Sequence, residues 1–230
     1  PKFTVLIEPL SKPFSKWTFS ETCQLFNLTN DPSPGINVYP IFLCGCIDLK
    51  DETSQIMVQH LMAELKLRKE TTALTFAFEA TKSIYSYSYL AAGVSFHKNN
   101  FKIVPEKPIA GRNGHGNLDY AIECCSTGRV IGLVEVKAEN LKKGLAQATI
   151  QMESTITGRG NEMQKIDRVF GIVTDASVWY FMECSCNEEQ TLTFRLSESV
   201  NVVYNGENMQ AQVEKVLGHI LWLLEEIQKQ

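Results

Sequence analysis

The chain has 230 residues, 44% hydrophobic and 21% charged, with a formal net charge of −4. That is ordinary globular composition, long enough for one large core or two small ones. It counts against a nucleic-acid binder that is basic overall, although a local basic stripe can lie on an acidic body.

In chain order, "KFTVLIEPL" reads as a strand and "NDPSPGINVYP" as a turn-rich loop, followed by a second strand candidate, "IFLCGCIDL". Asp51 to about Lys69 reads as a helix, with Ile56, His60 or Leu61, and Glu64 at helical spacing. Residues 71–92 suit a helix, stopped by Gly93, although "SIYSYSYL" also alternates as a strand would. "FKIVPEKPI" is a strand interrupted by prolines, which places it at a sheet edge. After the glycine-rich loop "GRNGHG", the segments "LDYAIECC" and "RVIGLVEVKA" form a hairpin around "STG". A helix follows from Asn140 to about Thr155, with Leu141, Leu145, Ala148 and Met152 on its apolar stripe. "RVFGIVT", "VWYFMEC" and "TLTFRLS" are three more strands. A closing amphipathic helix at 207–229 carries Val213, Val216, Ile220, Leu224 and Ile227. The pattern is α/β: a mixed central sheet flanked by helices, with residues 1–70 as an N-terminal extension packed on a domain at 71–230.

The seven cysteines are odd in number and mostly lie beside apolar residues, as in "IFLCGCI" and "IECCS". They read as reduced, largely buried thiols of an intracellular, reducing compartment. The pairs Cys44/Cys46 and Cys184/Cys186 are spaced C-x-C, which suits zinc poorly. No apolar run reaches the roughly 18–20 residues that span a bilayer, so no membrane partner is expected. No signal peptide is visible, and a chain that begins at Pro1 is expected to be a processed or trimmed piece.

The chemistry concentrates in "GLVEVKAENL". Leu133, Val134 and Val136 belong in a buried strand, yet Glu135 and Lys137 lie inside the run, two apart and therefore on one face. A hairpin centred on Thr127 places Asp119 opposite Glu135 on that face. Two carboxylates so close repel unless a cation compensates. Lysine does this in part and a hard cation such as Mg²⁺ does it better, filling its other sites with water and phosphate. Two acids, a lysine and a metal suit phosphodiester hydrolysis. A plain salt bridge on a solvated sheet face is the bland alternative for an E-x-K taken alone. Gln147 and Gln151, four apart beside the apolar stripe of the next helix, argue for a polar task there.

This arrangement resembles the PD-(D/E)XK nuclease superfamily, with its restriction-endonuclease-like fold. The residues matching its pattern are Glu79 on the first helix, Asp119, Glu135 with Lys137, and Gln147 or Gln151 on the following helix; Leu118 stands where the pattern has Pro. The segments "FEATKSIYSYSYLAAGV", "KIVPEKPIAGRNGHGNLDYAIE", "EVKAENLKKGLAQATIQMES", "GIVTDASVWYF" and "VLGHILWLLEE" are in turn similar to C-terminal domains of Crinkler-type effectors of fungi and oomycetes. The resemblance implies a Mg²⁺ held by Asp119, Glu135, the carbonyl of Val136 and Glu79. Lys137 would orient the attacking water or stabilise the transition state. It further implies DNA as substrate, with RNA as the alternative, and a secreted effector delivered to a host nucleus. A homodimer and a host protein are further candidate partners. A catalytically inactive module that binds nucleic acid or a host protein is the competing expectation.

Contacts to the nucleic-acid backbone are expected from Arg112, His115, Lys142, Lys143 and Arg159, with Lys165 and Arg168 beyond them. The bland reading for each is a solvated charge. Glu106 beside Lys107, Glu79 beside Lys82, and His60 with Glu64 read equally well as surface pairs. Tyr85, Tyr87 and Tyr89 could stack on bases, although packed tyrosines are commoner; Trp179 and Trp222 read as core.

Overall fold

A computed structural model describes residues 11–75, 77–158 and 167–229. The elements are β1 (Lys12–Pro13), α1 (Phe19–Leu25), α2 (Glu52–Thr71), α3 (Glu79–Ser95), β2 (Phe101–Ala110), β3 (Gly114–Cys124), β4 (Val130–Val136), α4 (Leu141–Thr157), β5 (Arg168–Thr174), β6 (Val178–Cys186), β7 (Leu192–Leu196), β8 (Val200–Asn201) and α5 (Met209–Gln228). The eight strands form one mixed sheet in the order β1-β3-β4-β5-β6-β7, with β2 also on β3 and β8 also on β6. The β4–α4–β5 crossover joins parallel neighbours, as a strand–helix–strand unit must. The architecture is α/β, a mixed central sheet flanked by helices. Among the described residues, no helix is long and apolar enough to cross a membrane.

Alternation along the strands divides the core between the two faces of the sheet. Val134, Val136, Tyr120 and Ile122 point to the face covered by α2, α3 and α5. Leu133 and Ala121 point to the face covered by α4. Every stripe residue expected on α5 is buried. The helices start where local chemistry supplies caps. Thr18 and Glu21 form a reciprocal capping box on α1, while Asp51 accepts from the Ser54 amide on α2 and Asn140 from the Lys143 amide on α4.

Three expectations need correction. The run 41–49 is not a strand: it makes one isolated bridge, Ile41 to Leu196, and is otherwise held by hydrogen bonds such as Ile47 N–H to the Gly218 carbonyl. Apolar residues there pack against α5 without needing a ladder. The third helix begins at Glu79, not near residue 71. On α2 the buried face is Val58, Leu61, Met62 and Leu65, whereas Ile56 is exposed. The strand expected over the first ten residues, and Arg159 and Lys165, lie outside the described residues. All seven cysteines are free thiols, but only Cys23 and Cys184 are buried, so the largely buried set expected from their apolar neighbours is not found.

Candidate active site

The β3–β4 hairpin sets the site. Tyr120 pairs with Val134, Ala121 with Leu133 and Ile122 with Gly132, before a one-residue shift brings Glu123 opposite Val130. This is the register that places Asp119 and Glu135 on one face. The backbone ladder stops at Tyr120. Beyond it, the Val136 amide donates to Asp119 Oδ2 at 2.6 Å, so an acid side chain replaces a strand partner. Residues Lys12–Pro13 run parallel to Gly114–His115 just beyond. They bring Ser15 to a cleft of about 490 Å³ that Asp119, Glu135, Lys137, Glu79 and Asn117 also line. Phe14 wedges under Gly114, where an added Cβ would meet the Phe14 ring at 2.5 Å and Ile150 at 2.6 Å. A side chain at position 114 would therefore push this corner of the cleft apart.

Glu135 is 1% exposed. One carboxylate oxygen meets Lys137 Nζ at 2.6 Å and the other accepts from Gln151 Nε2 at 2.7 Å. Burial and the charge of Asp119 nevertheless push its pKa up to about 7, against the pull of Lys137 and Gln151. Burial also raises Asp119, assisted by the charges of Glu79 and Glu106 and opposed by the Val136 amide and Lys137. For Lys137, burial works to lower the pKa, but the charge of Glu135, with Asp119 and Glu79, outweighs it and holds the ammonium above its ordinary value. One lysine thus serves several acids, and the buried site carries excess negative charge.

The other expected residues fall unevenly around this centre. Glu79, at the first turn of α3, stands 3.6 Å from Lys137 Nζ, and Gln147 and Lys143 line the cleft. Lys142 instead donates to the Pro34 carbonyl at 3.2 Å. His115 is exposed, with Nδ1 at 3.1 Å from Ser11 Oγ, and Arg112 is exposed. Arg168 pairs with Glu183 and Glu226. The expected local pairs are replaced by others. Lys107 meets Glu123 at 2.6 Å rather than Glu106, and Glu64 pairs with Arg68 rather than His60. Lys82 meets Asp175 at 3.2 Å and also donates to the Ala138 carbonyl, tying α3 to the segment after β4. Tyr85, Tyr89 and Trp179 are core, and Trp222 packs on it partly buried.

Sequence reading missed Ser15, Asn117 and Asn140 in the cleft wall. Ser15 carries no signal, because a two-residue parallel pairing alone brings it there. Among the described residues, no group of three or more His, Cys, Asp or Glu side chains is arranged to hold a metal ion.

The chain is 48% identical over 235 aligned residues to Crinkler effector protein 1 of the fungus Rhizophagus irregularis, which covers 99% of this chain and 49% of that protein. It is 23% identical over 138 residues to Crinkler effector protein 5 of Phytophthora infestans, across 59% of this chain and 37% of that one. The chain therefore spans about half the length, or less, of these curated relatives. A solved structure, the type IIG restriction endonuclease BpuSI, aligns with a TM-score of 0.40 and 12% identity over 60% of this chain and 16% of that one. No family model matches.

Proposed function

We propose that the cleft hydrolyses phosphodiester bonds of DNA with a divalent cation, Mg²⁺, and that the chain acts as part of a secreted effector in a host nucleus. The observation that carries the chemistry is the acid pair: half-buried Asp119 and buried Glu135 share one cleft and both are pushed toward protonation. Hard oxygen donors whose negative charge one lysine offsets only in part fit Mg²⁺. Asp119, Glu135 and the Val136 carbonyl would hold it, with Glu79 at the rim. When bound, the ion would polarise the phosphate and lower the pKa of an attacking water. Gln151 fixes the orientation of the Glu135 carboxylate. Lys137 would donate to the water or to a phosphoryl oxygen as negative charge develops. Lys143, on the cleft wall, would bind a neighbouring phosphate. The similarity to proteins named as effectors supports the biological setting.

A second reading, a catalytically inactive module that binds nucleic acid or a host protein, has its own support. No three-ligand cluster stands among the described residues. Glu135 already has Lys137 and Gln151 as partners, and Asp119 has the Val136 amide, so the network closes without an ion. Incubation with supercoiled plasmid and Mg²⁺ separates the two. Hydrolysis requires nicking by the wild type and its loss in Lys137→Ala, with the circular dichroism spectrum retained. Equal nicking by both proteins, or none by either, refutes it.

A further inference from the structure

We infer that Phe78 is a stacking platform for an unpaired nucleobase beside the phosphodiester cleft, so that the preferred ligand is single-stranded nucleic acid. This rests on the cleft binding phosphodiesters, as proposed above. Phe78 immediately precedes Glu79, whose carboxylate lines the cleft and stands 3.6 Å from Lys137. Phe78 is 84% exposed, whereas Tyr85 and Tyr89 of the helix it starts are fully buried and Tyr87 is 39% exposed.

The position makes this exposure unusual. Phe78 is the N-cap of α3, and its side chain makes no capping hydrogen bond. An N-cap favours Ser, Thr, Asp or Asn, which satisfy a free amide of the first turn. Thr18, Asp51 and Asn140 cap α1, α2 and α4 in this way, and α5 starts at Asn208, a favoured residue type although its side chain makes no cap hydrogen bond. At Phe78 the chain gives up a cap and leaves an apolar ring in water, two local costs that packing on the described residues offsets little. Such a residue fits a ligand.

The ligand chemistry follows from the neighbourhood. Glu79, the next residue in the chain, lines a cleft whose lysines, Lys137 and Lys143, suit phosphate. A flat apolar surface next to a phosphate site matches a nucleotide whose base is free to leave its neighbours. A paired duplex keeps its bases stacked inside and offers this ring only backbone. Stacking on a single ring tolerates any base, so little sequence preference is expected. Lys82, four residues on, holds the start of α3 against the Ala138 carbonyl and Asp175.

The test is binding without turnover. Fluorescence anisotropy with Ca²⁺ in place of Mg²⁺ would compare 12-nucleotide single-stranded DNA, single-stranded RNA of the same sequence, and the matching DNA duplex. Phe78→Ala is expected to weaken single-strand binding about tenfold, within the range for loss of one stacked base, and to leave duplex binding unchanged. The two single-stranded arms decide between deoxyribose and ribose. Phe78→Trp is expected to retain affinity, and its indole emission, taken as the difference from wild type, to be quenched by the single strand and not by the duplex. Undiminished binding by Phe78→Ala, equal losses for single strand and duplex, unquenched Trp emission, or no binding by wild type would each overturn the inference. Phe78-dependent binding without Mg²⁺-dependent cleavage would refute hydrolysis and leave the platform standing; cleavage indifferent to Phe78 would do the reverse.

Discussion

Glu135→Gln tests the electrostatics of the acid pair. In the metal-free protein, burial and Asp119 carry the Glu135 pKa from 4.5 to about 7. Below 4.5 the group is protonated whether the chain is folded or not, and it contributes no pH dependence. Between 4.5 and about 7 the unfolded chain has lost the proton while the folded one keeps it, so stability falls as pH rises. Above about 7 both forms are ionised and the penalty is constant, on the order of 3 kcal/mol. The neutral amide introduced by Glu135→Gln would have no such titration. Urea unfolding from pH 4.5 to 8.5 in EDTA, followed by circular dichroism, would give stability curves for both proteins. The difference cancels groups that do not interact with Glu135, such as His219, whose pKa burial lowers, and leaves the joint titration of Glu135 and Asp119. The wild type is expected to lose about 3 kcal/mol relative to Glu135→Gln across the window, whatever the offset from the altered hydrogen bonds to Lys137 and Gln151. Parallel curves would refute the reasoning, because they would mean that Glu135 ionises in the fold as readily as in water.

Other expected outcomes are narrower. Mg²⁺ at a hundred times its dissociation constant should stabilise the wild type at pH 8 by about 2.7 kcal/mol and leave Asp119→Asn nearly unchanged, measured by urea unfolding. Gly114→Ala drives a methyl into Phe14 and Ile150 and should cost about 1–3 kcal/mol, read as a fall in thermal midpoint. Tyr39→Phe removes the buried 2.8 Å contact with Thr149 and should cost about 1 kcal/mol by the same measurement.

The hairpin was legible because strand periodicity is rigid. Once Val134 and Val136 are assigned to one core, Glu135 has to face the other way, and a turn near Thr127 sets Asp119 against it. The helix stripes of α4 and α5 were legible for the same reason. Elements whose boundaries depend on tertiary contacts were not. The start of α3 carries no cap signal, since Phe78 occupies the cap position. The run 41–49 has the composition of a strand, but its backbone bonds to α5 and β7. Ile56 matches a helical stripe yet lies off the side that meets α3 and α5, which sequence spacing alone does not identify. In the site, Glu135 and Lys137 announced themselves as charges in an apolar run. Ser15 and Asn117 are ordinary polar residues that only the fold brings to the cleft. The destinations of Lys82 and Lys107 were misread because near sequence neighbours were preferred to partners across the sheet and beyond it.

The most direct test of the central claim, that Asp119 and Glu135 act together as one divalent-cation site, is calorimetric titration of Mn²⁺ into the metal-free chain at pH 7.5. One ion is expected to bind per chain, with affinity at least about tenfold weaker in Asp119→Asn and in Glu135→Gln. Equal affinity in all three proteins, or no binding by the wild type, would contradict the account.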